Sequence, residues 1–142
     1  MPRNLGLDIG DRKIGVSISD PSQTLATPLR TIIRDNDDLA ISVILDLVEN
    51  HKIEKIVVGL PYSLSGVIGK QAEKVLAFKD KLTAKANVEI VMQDERLSSV
   101  SANRKLREAG KKGSKLKNEM DAAAATVILQ VYLDTQKLSG EN

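Results

Sequence analysis

The sequence predicts an α/β protein built around a mixed five-stranded sheet with flanking helices. Three short apolar strand patterns come first, and helical and strand patterns then alternate along the rest of the chain. This order predicts a mixed sheet rather than a doubly wound parallel one. With 142 residues, of which 42% are hydrophobic and 28% charged, the chain is expected to be a single domain over residues 1–142.

The first two strands are predicted to form a β-hairpin over Leu5–Gly10 and Ile14–Ser19. Gly10-Asp11, between them, is a favourable turn sequence. A third strand is predicted over Leu25–Ile33. Because Pro28 has no amide hydrogen to donate, this third strand is expected at an edge of the sheet or at a bulge.

The later elements alternate between helix and strand. Acidic and amide residues at positions 35–38 are suited to cap a helix that ends near His51. The apolar run Lys55–Leu60 is too short for a helix and is bounded by Pro61, which predicts a strand buried on both faces. The remaining predictions are a helix after Gly69, a strand over Val88–Met92, a helix over Leu97–Ala109 and a last helix over Glu119–Lys137.

Composition excludes several kinds of site. The chain has no cysteine and one histidine, His51, so it has neither a thiolate nucleophile nor a multi-histidine metal site. One Phe and two Tyr are too few to stack a row of nucleobases. No uncharged run reaches the roughly 20 residues that span a bilayer, and the first residues lack a signal-peptide pattern. We therefore expect a cytoplasmic protein with no membrane partner.

Positive charge is concentrated in residues 103–118, the basic segment. It carries seven Lys or Arg residues and one Glu, although the net charge of the whole chain is only +2. Such a segment is suited to contact the phosphates of a nucleic acid, and a solvated, flexible loop is the alternative. Its basic residues are Arg104, Lys105, Arg107, Lys111, Lys112, Lys115 and Lys117.

Acidic residues at two strands are candidates for chemistry. Asp8 lies inside the first apolar strand, where a carboxylate is costly unless another group binds it. The structural alternative is a buried hydrogen bond or an ion pair with Arg12 or Lys13. Asp94-Glu95-Arg96 follows the fifth strand, at the kind of strand end where α/β sites assemble. There the alternative is that Asp94 caps the next helix.

A third acidic candidate, Asp121, opens the predicted last helix. Its alternative role is also structural, because with Asn118 as the N-cap it completes a capping box. Four alanines follow it, and such small side chains allow a helix to approach a sheet closely. Close packing of this kind would bring Asp121 near the acidic residues on the strands.

Carboxylates that converge at one end of a sheet repel one another unless cations lie between them. Hard divalent cations such as Mg²⁺ prefer oxygen ligands, and this chain lacks the cysteine and histidine sets that favour zinc. A pair of such ions can activate water and stabilise the leaving oxygen when a phosphodiester bond is cleaved. The acidic residues and the basic segment together therefore indicate a metal-dependent nuclease.

Four motifs resemble, in order and spacing, those of the YqgF (RuvX) family. They are LGLDIGDRKIGVSISD, IVVGLPYSLSG, QDERLSS and KNEMDAAAATVILQVYL, which together extend from Leu5 to Leu133. The resemblance implies a ribonuclease H-like fold and a metal-dependent endonuclease that hydrolyses phosphodiester bonds. It implies processing of the 5′ end of pre-16S rRNA, with resolution of four-way DNA Holliday junctions as the alternative.

The same resemblance implies roles for individual residues. Asp8, Glu95 and Asp121 are implied to be the catalytic carboxylates and the ligands of Mg²⁺ or Mn²⁺. Arg96 and Lys117 match basic positions of the family, and Gly66 matches its substrate-side loop. Together with the basic segment, the expected nucleic-acid contacts are Arg96, Arg104, Lys111, Lys112, Lys115, Lys117 and Gly66.

Two other functions are open alternatives. The stretch LDIGDRKIG also resembles the phosphate-binding hairpin of actin-like and sugar-kinase ATPases, which need two such domains and a longer chain to close over ATP. The second alternative is a nucleic-acid-binding module without catalysis. The sequence also leaves open pre-rRNA or branched DNA as the partner, and a monomer or a homodimer as the assembly.

Overall fold

The computed structural model describes residues 3–61, 69–94 and 114–138, the last range with side chains from 122 to 137. Three helices in these ranges lie against one five-stranded sheet. In chain order the elements are β1 (Arg3–Ile9), β2 (Lys13–Ser19), β3 (Ala26–Ile33), α1 (Asp37–His51), β4 (Ile53–Leu60), α2 (Lys70–Lys85), β5 (Glu89–Asp94) and α3 (Ser114–Leu138).

The strand order in the sheet is β3-β2-β1-β4-β5. β1, β2 and β3 pair antiparallel as consecutive strands, whereas β4 pairs parallel with both β1 and β5. The α1 crossover from β3 returns the chain to the far side of β1, which makes the first strand the central one. The predicted mixed five-stranded sheet with flanking helices is confirmed.

Local chemistry explains the turn between β1 and β2 and the edge position of β3. Between β1 and β2 the amide of Gly10 donates to Lys13 O at 2.9 Å, and a Cβ at Gly10 would lie 2.8 Å from that oxygen. The close approach therefore requires glycine at this turn. As predicted, Pro28 lies on an edge strand, and the register of β2 and β3 shifts next to its partner Ser17.

Helix α1 begins and ends as the sequence predicts. The side chain of Asn36 is the N-cap, and its Oδ1 accepts from the amides of Asp38 and Leu39 at 2.8 and 3.2 Å. The acidic first turn is also suited to the positive end of the helix dipole. After His51 the chain leaves the helix through Lys52, which adopts the left-handed conformation with φ 55°.

The sheet has an apolar core on each face. On one face α1 and α2 cover the sheet, and the fully buried Phe78 and Leu82 of α2 belong to the same core as Leu5 and Leu7 of β1. On the other face α3 forms a smaller cluster with Val57 of β4. The α3 residues of that cluster are Ala124, Ile128, Leu129, Tyr132 and Leu133.

The strand boundaries differ from the prediction by one or two residues, and β5 extends to Asp94, which was predicted to follow it. The largest difference is at the last helix. The last helix begins at Ser114 rather than near Glu119, so the end of the basic segment, with Lys115 and Lys117, is helical. Asn118 lies inside α3 and is not its N-cap, which removes the predicted capping box for Asp121. The helix predicted over Leu97–Ala109 lies outside the described residues. Among the helices of the described ranges, none is both long and apolar enough to cross a membrane.

Candidate functional site

Asp8 lies near the carboxyl end of β1, the central strand of the sheet. Its partner on β2 is Gly15, which has no side chain, and the residue is only 5% exposed. Asp8 has an interaction with another group of the protein. A carboxylate is costly to bury without such a partner. A buried carboxylate in a central strand is the feature from which the rest of the candidate site is built.

The two-residue period of β1 determines which side of the sheet Asp8 faces. Leu5 and Leu7 pack in the core formed with α1 and α2. Gly6 faces α3, since a Cβ there would lie 2.8 Å from Leu129 Cβ. Asp8 is two residues beyond Gly6, so it lies on the same side of the sheet, the side that α3 covers.

Helix α3 docks on this side through backbone contacts that only small residues permit. The hydroxyl of Ser17 donates to the carbonyl of Ala125 at 2.7 Å, in a buried position. An added Cβ at Gly6 would lie 2.9 Å from the same carbonyl oxygen. Ala124 and Ala125 are fully buried at this contact. The predicted close approach of the alanine-rich helix to the sheet is confirmed.

Contacts of the second half of α3 determine its direction. Oε1 of Gln130 accepts from the amide of Ala26 at 2.8 Å, and its Nε2 donates to Thr24 O at 2.9 Å. Two residues after Gln130, the hydroxyl of Tyr132 accepts a hydrogen bond from Lys55, near the start of β4, at 3.2 Å. Helix α3 therefore runs antiparallel to β1, and its first half extends toward the strand end that carries Asp8.

Asp121 lies on this first half of α3, one turn before Ala125. Ala125 lies beside Gly6. Asp8 is two residues after Gly6 in β1, toward the same end of the sheet as the first half of α3. The backbone of Asp121 thus belongs to the part of α3 that continues toward Asp8. Its side chain is outside the described side chains.

Arg34 holds the turn that follows Asp8. Its Nη1 donates to Gly10 O at 2.7 Å, and its backbone amide donates to Arg12 O at 2.8 Å. The guanidinium also lies 4.9 Å from the ring centroid of Phe78 on α2. Arg34 therefore connects the hairpin that follows Asp8 to the end of β3 and to α2.

The same guanidinium connects the hairpin to the start of α1. Nε of Arg34 lies 2.8 Å from Oδ1 of Asp37, whose other oxygen lies 3.1 Å from Lys81 Nζ. The hydrogen bond from Arg34, followed by that from Lys81, lowers the pKa of the Asp37 carboxyl below its ordinary value. Asp37 therefore stays ionised at neutral pH and keeps Arg34 in place.

Asp94 lies on the other side of the sheet from Asp8. Within β5, Val91 packs with the α3 cluster, and Ile90 and Met92 pack with the core of α1 and α2. Because side chains alternate along a strand, Asp94 lies on the same side of the sheet as Ile90 and Met92. Asp94 also has an interaction partner of its own.

Most predicted contact residues lie outside what the structure describes. The backbones of Asp121, Lys115 and Lys117 belong to α3, but their side chains are not described. Among the side chains that are described, no group of three or more acidic or histidine residues forms a cluster able to hold a metal ion. Asp8 is one of these described side chains. The predicted residues outside the described ranges are Glu95, Arg96, Arg104, Lys111, Lys112 and Gly66.

The residues that position Asp8 were not predicted from the sequence. Arg34 follows an apolar strand, and no local pattern distinguishes it from a solvated arginine. Gly6 and Ser17 had a usable signal, because β1 and β2 carry small or polar residues at every second position, including Gly15. That pattern is typical of a sheet face closely covered by a helix.

Known proteins match this chain over most of its length. A relative from Dehalococcoides mccartyi is 48% identical over 126 residues, which are 89% of this chain and 93% of the relative. Another from Caldanaerobacter subterraneus subsp. tengcongensis is 45% identical over 138 residues, 96% of this chain and 99% of the relative. Both carry the provisional name of a pre-16S rRNA nuclease.

Solved structures support the fold. The T. thermophilus RuvC in complex with a Holliday junction substrate has a TM-score of 0.60 at 13% identity, covering 98% of each chain. The Fowlpox virus resolvase in complex with Holliday junction DNA has a TM-score of 0.52 at 10% identity, covering 94% of this chain and 97% of that one. These neighbours confirm the predicted ribonuclease H-like fold class.

The family comparison agrees with the relatives. The family described as "RuvX: Holliday junction resolvase" matches residues 2–135, nearly the whole chain. The resemblance of the four sequence motifs is thereby confirmed, together with the nuclease class that it implied. With this match and relatives 44–48% identical, the chain belongs to the RuvX family.

Proposed function

We propose that this chain is a metal-dependent endonuclease that cleaves phosphodiester bonds of structured nucleic acid, and that it processes the 5′ end of pre-16S rRNA in the cytoplasm. The observation that carries the proposal is the buried carboxylate of Asp8 on the central strand. Family membership supports the reaction class. The names of the relatives support the ribosomal RNA precursor as the substrate.

The acidic set of the proposed centre is Asp8, Glu95 and Asp121. Glu95 follows directly in the sequence on Asp94, the last residue of β5. Asp121 precedes Ala125 by one turn on the helix that covers the same side. Asp8 and the backbone position of Asp121 are therefore compatible with one centre on the α3 side of the sheet, and Glu95 belongs to the proposed set because the family resemblance implies it.

The residues present fit a hard divalent cation. A buried carboxylate supplies the oxygen that Mg²⁺ and Mn²⁺ prefer, and the chain has no cysteine to favour a softer metal. Its single histidine, His51, ends α1 on the opposite face of the sheet. A bound ion of this kind would reduce the repulsion among the carboxylates and polarise the phosphate that is attacked.

The chain's own residues supply position and rigidity. Asp8 is fixed by strand pairing with β2, and the turn beyond it is fixed by Arg34. Pairing on a central strand leaves the carboxylate little freedom, so it need not be ordered again in each reaction cycle. The phosphate contacts are proposed to be those expected from the sequence, at Arg96, Arg104, Lys111, Lys112, Lys115, Lys117 and Gly66.

Resolution of four-way DNA is the second candidate function, because the family is described as Holliday junction resolvase. Resolution requires two cuts, and a homodimer with a two-fold axis would present two centres to the junction. A monomer in solution would favour the RNA substrate. Sedimentation of the free protein and of its complex with a junction measures this difference directly.

The experiment that tests the proposal is cleavage of both substrates side by side, in Mg²⁺, in Mn²⁺ and in chelator. We expect the RNA that carries the pre-16S 5′ extension to be cut with either metal and to stay intact in chelator. Paired symmetrical cuts in the junction, with no cut in the RNA, would replace the RNA by branched DNA as the substrate. Tight binding of both without any cut would support a binding module instead.

A further inference from the structure

Lys13 is the first residue of β2 and lies on the face of the sheet that α3 covers. The apolar residues of β2 pack in the core formed with α1 and α2. Ser17, four residues after Lys13, donates instead to the carbonyl of Ala125 in α3. Because side chains alternate along a strand, Lys13 belongs to the same face as Ser17, and this is also the face of Asp8.

Two glycines make Lys13 and Asp8 neighbours on this face. Asp8 is paired with Gly15 of β2. Two residues further along the hairpin, the amide of Gly10 donates to Lys13 O at 2.9 Å, so Gly10 is opposite Lys13. Diagonal neighbours of this kind are separated by about 7–8 Å, a distance that a long side chain can cross. Since neither glycine has a side chain, nothing in the hairpin itself separates Lys13 from Asp8.

The backbone of Lys13 is held on both sides. On one side it is joined to Gly10 by the hydrogen bond of the turn, and on the other it pairs with Ile33 of β3. The carbonyl of Arg12, the preceding residue, accepts from the amide of Arg34 at 2.8 Å. The side chain of Lys13 is half-buried. Lys13 therefore has a fixed backbone and a flexible four-carbon stem that can reach a ligand beside Asp8.

The charge of the proposed reaction favours a cation at this place. A phosphodiester brings a negative charge to a centre built from carboxylates, and the charge on its oxygens changes as the bond is broken. A bound divalent cation offsets part of this charge. An ammonium is a compact charge with three hydrogen-bond donors, and it is suited to bind a non-bridging phosphate oxygen.

We propose that Lys13 is a further substrate-binding residue of the acidic centre, and that its ammonium binds a non-bridging oxygen of the phosphate that is cleaved. This inference rests on the proposed function, because it takes Asp8 to lie beside the cleaved phosphate. Lys13 thus adds a cation on a paired strand to the contacts expected from the basic segment. The structural alternative is that Lys13 only offsets the charge of Asp8 within the folded chain.

The first test is cleavage in Mg²⁺ of the substrate that the parent protein cuts. Lys13→Ala should lower kcat roughly 100-fold and change KM far less, because a charge that stabilises the transition state is lost. Lys13→Arg keeps a positive charge and should recover part of that loss. Lys85→Ala is the control, since it removes a lysine from the last turn of α2 on the opposite face. It should change neither constant.

A binding measurement in chelator, where the substrate should stay intact, tests the phosphate contact without cleavage. For Lys13→Ala the dependence of affinity on salt should flatten by up to about 0.9 in the log–log slope, the value of one duplex phosphate contact. With a neutral methylphosphonate at the cleaved position, Lys13→Ala and the parent should bind equally well. With the methylphosphonate several nucleotides away, their difference should return. A difference that persists with the neutral group at the cleaved position would overturn the proposal.

Thermal unfolding without metal tests the structural alternative. The unfolding temperature of Lys13→Ala should stay close to that of the parent, because Lys13 lies outside both apolar cores. A marked fall in that temperature, together with an unchanged kcat for the folded protein, would contradict the proposal. If Lys13→Ala does not fold, Lys13→Met keeps the apolar stem without the charge, and the same losses of kcat and salt slope are expected from it.

The failure of this inference can be distinguished from the failure of the proposed function. A parent protein that cleaves one of the substrates, with a Lys13→Ala variant that matches it in kcat and in salt slope, would remove the role of Lys13 alone. A parent protein that binds both substrates and cleaves neither, with a flatter salt slope in Lys13→Ala, would remove the proposed function and keep the phosphate contact.

Discussion

The two faces of the sheet are made by the same strands but carry opposite kinds of residue. Under α1 and α2 the strands present large aliphatic side chains, such as Leu5 and Leu7, packed around Phe78. Under α3 the alternate positions of β1 carry Asn4, Gly6 and Asp8. The first face stabilises the fold by burying apolar area, whereas the second brings the backbone of a helix close to polar groups.

This difference shows where the molecule supports stability and where it supports chemistry. The α1 and α2 face provides the larger apolar core. The α3 face has little apolar area at Gly6 and Ser17, and these small residues hold α3 close to the sheet. Asp8 is buried at one end of this face. Substitutions on the two faces should therefore fail in different ways.

The largest effect on stability is expected on the apolar face, from Phe78→Ala. The ring is fully buried and also lies against the Arg34 guanidinium. Its removal therefore leaves a cavity and weakens the contact that holds Arg34 at the hairpin between β1 and β2. The free energy of unfolding should fall by about 3–5 kcal/mol in a urea titration. Phe78→Leu, which keeps most of the apolar volume, should lose roughly half as much or less. Equal losses would show that apolar volume does not determine stability here.

On the α3 face the largest loss is expected from Gly6→Ala. The new Cβ would meet Ser17 Oγ and lie 2.8 and 2.9 Å from atoms of Leu129 and Ala125, so α3 must shift outward. We expect a loss of about 2–3 kcal/mol by overpacking. Gly69→Ala is the control, because a Cβ there meets nothing within 4 Å. It should cost under about 1 kcal/mol as a change at a helix N-cap. Similar values for both glycines would contradict the close docking of α3.

A smaller effect on the same face is expected from Ser17→Ala, which removes the hydrogen bond to Ala125 O. The hydroxyl is buried, so the free energy of unfolding should fall by about 1 kcal/mol. Ser42→Ala, on the exposed side of α1, is the control and should be neutral within about 0.5 kcal/mol. A neutral Ser17→Ala would mean that apolar packing alone holds α3.

The smallest effect is electrostatic and depends on pH, at Asp37 near the start of α1. Because its pKa is lowered in the folded state, its ion pair with Arg34 stabilises above the unfolded pKa of about 3.9. That contribution disappears as the pH falls through the folded pKa. Asp37→Asn should cost about 1 kcal/mol or less at pH 7 and nothing at the acid end of the titration. Asp38→Asn is the matched control, because the Asp38 carboxylate is 78% exposed, and it should cost about 0.5 kcal/mol or less at pH 7.

Much of the fold could be predicted because local chemistry determines it. The turn at Gly10, the edge position of Pro28 and the cap at positions 35–38 each follow from a backbone requirement of one or two residues. The start of α3 could not be predicted in this way. Gly110, Gly113 and the lysines around them are typical of a loop, yet the helix begins at Ser114.

The candidate site was only partly predictable. Asp8 was identifiable because a carboxylate inside an apolar strand is costly. The hydrogen bond from Arg34 to Gly10 O and the contact of Lys55 with Tyr132 were not, since each depends on residues that folding brings together from distant parts of the chain. Lys55 and Tyr132, for example, are 77 residues apart and meet only after α3 has packed on the sheet.

The central claim is that Asp8 on the α3 face serves chemistry rather than stability, and Asp8→Asn tests it most directly. Cleavage of the pre-16S substrate in Mg²⁺ and thermal unfolding without metal should be measured on the same sample, with Asp46→Asn on the exposed side of α1 as control. We predict that cleavage falls by at least about a hundredfold and that the unfolding temperature is unchanged or raised, because one repelling charge is removed. Retained cleavage together with a marked loss of stability would contradict the account.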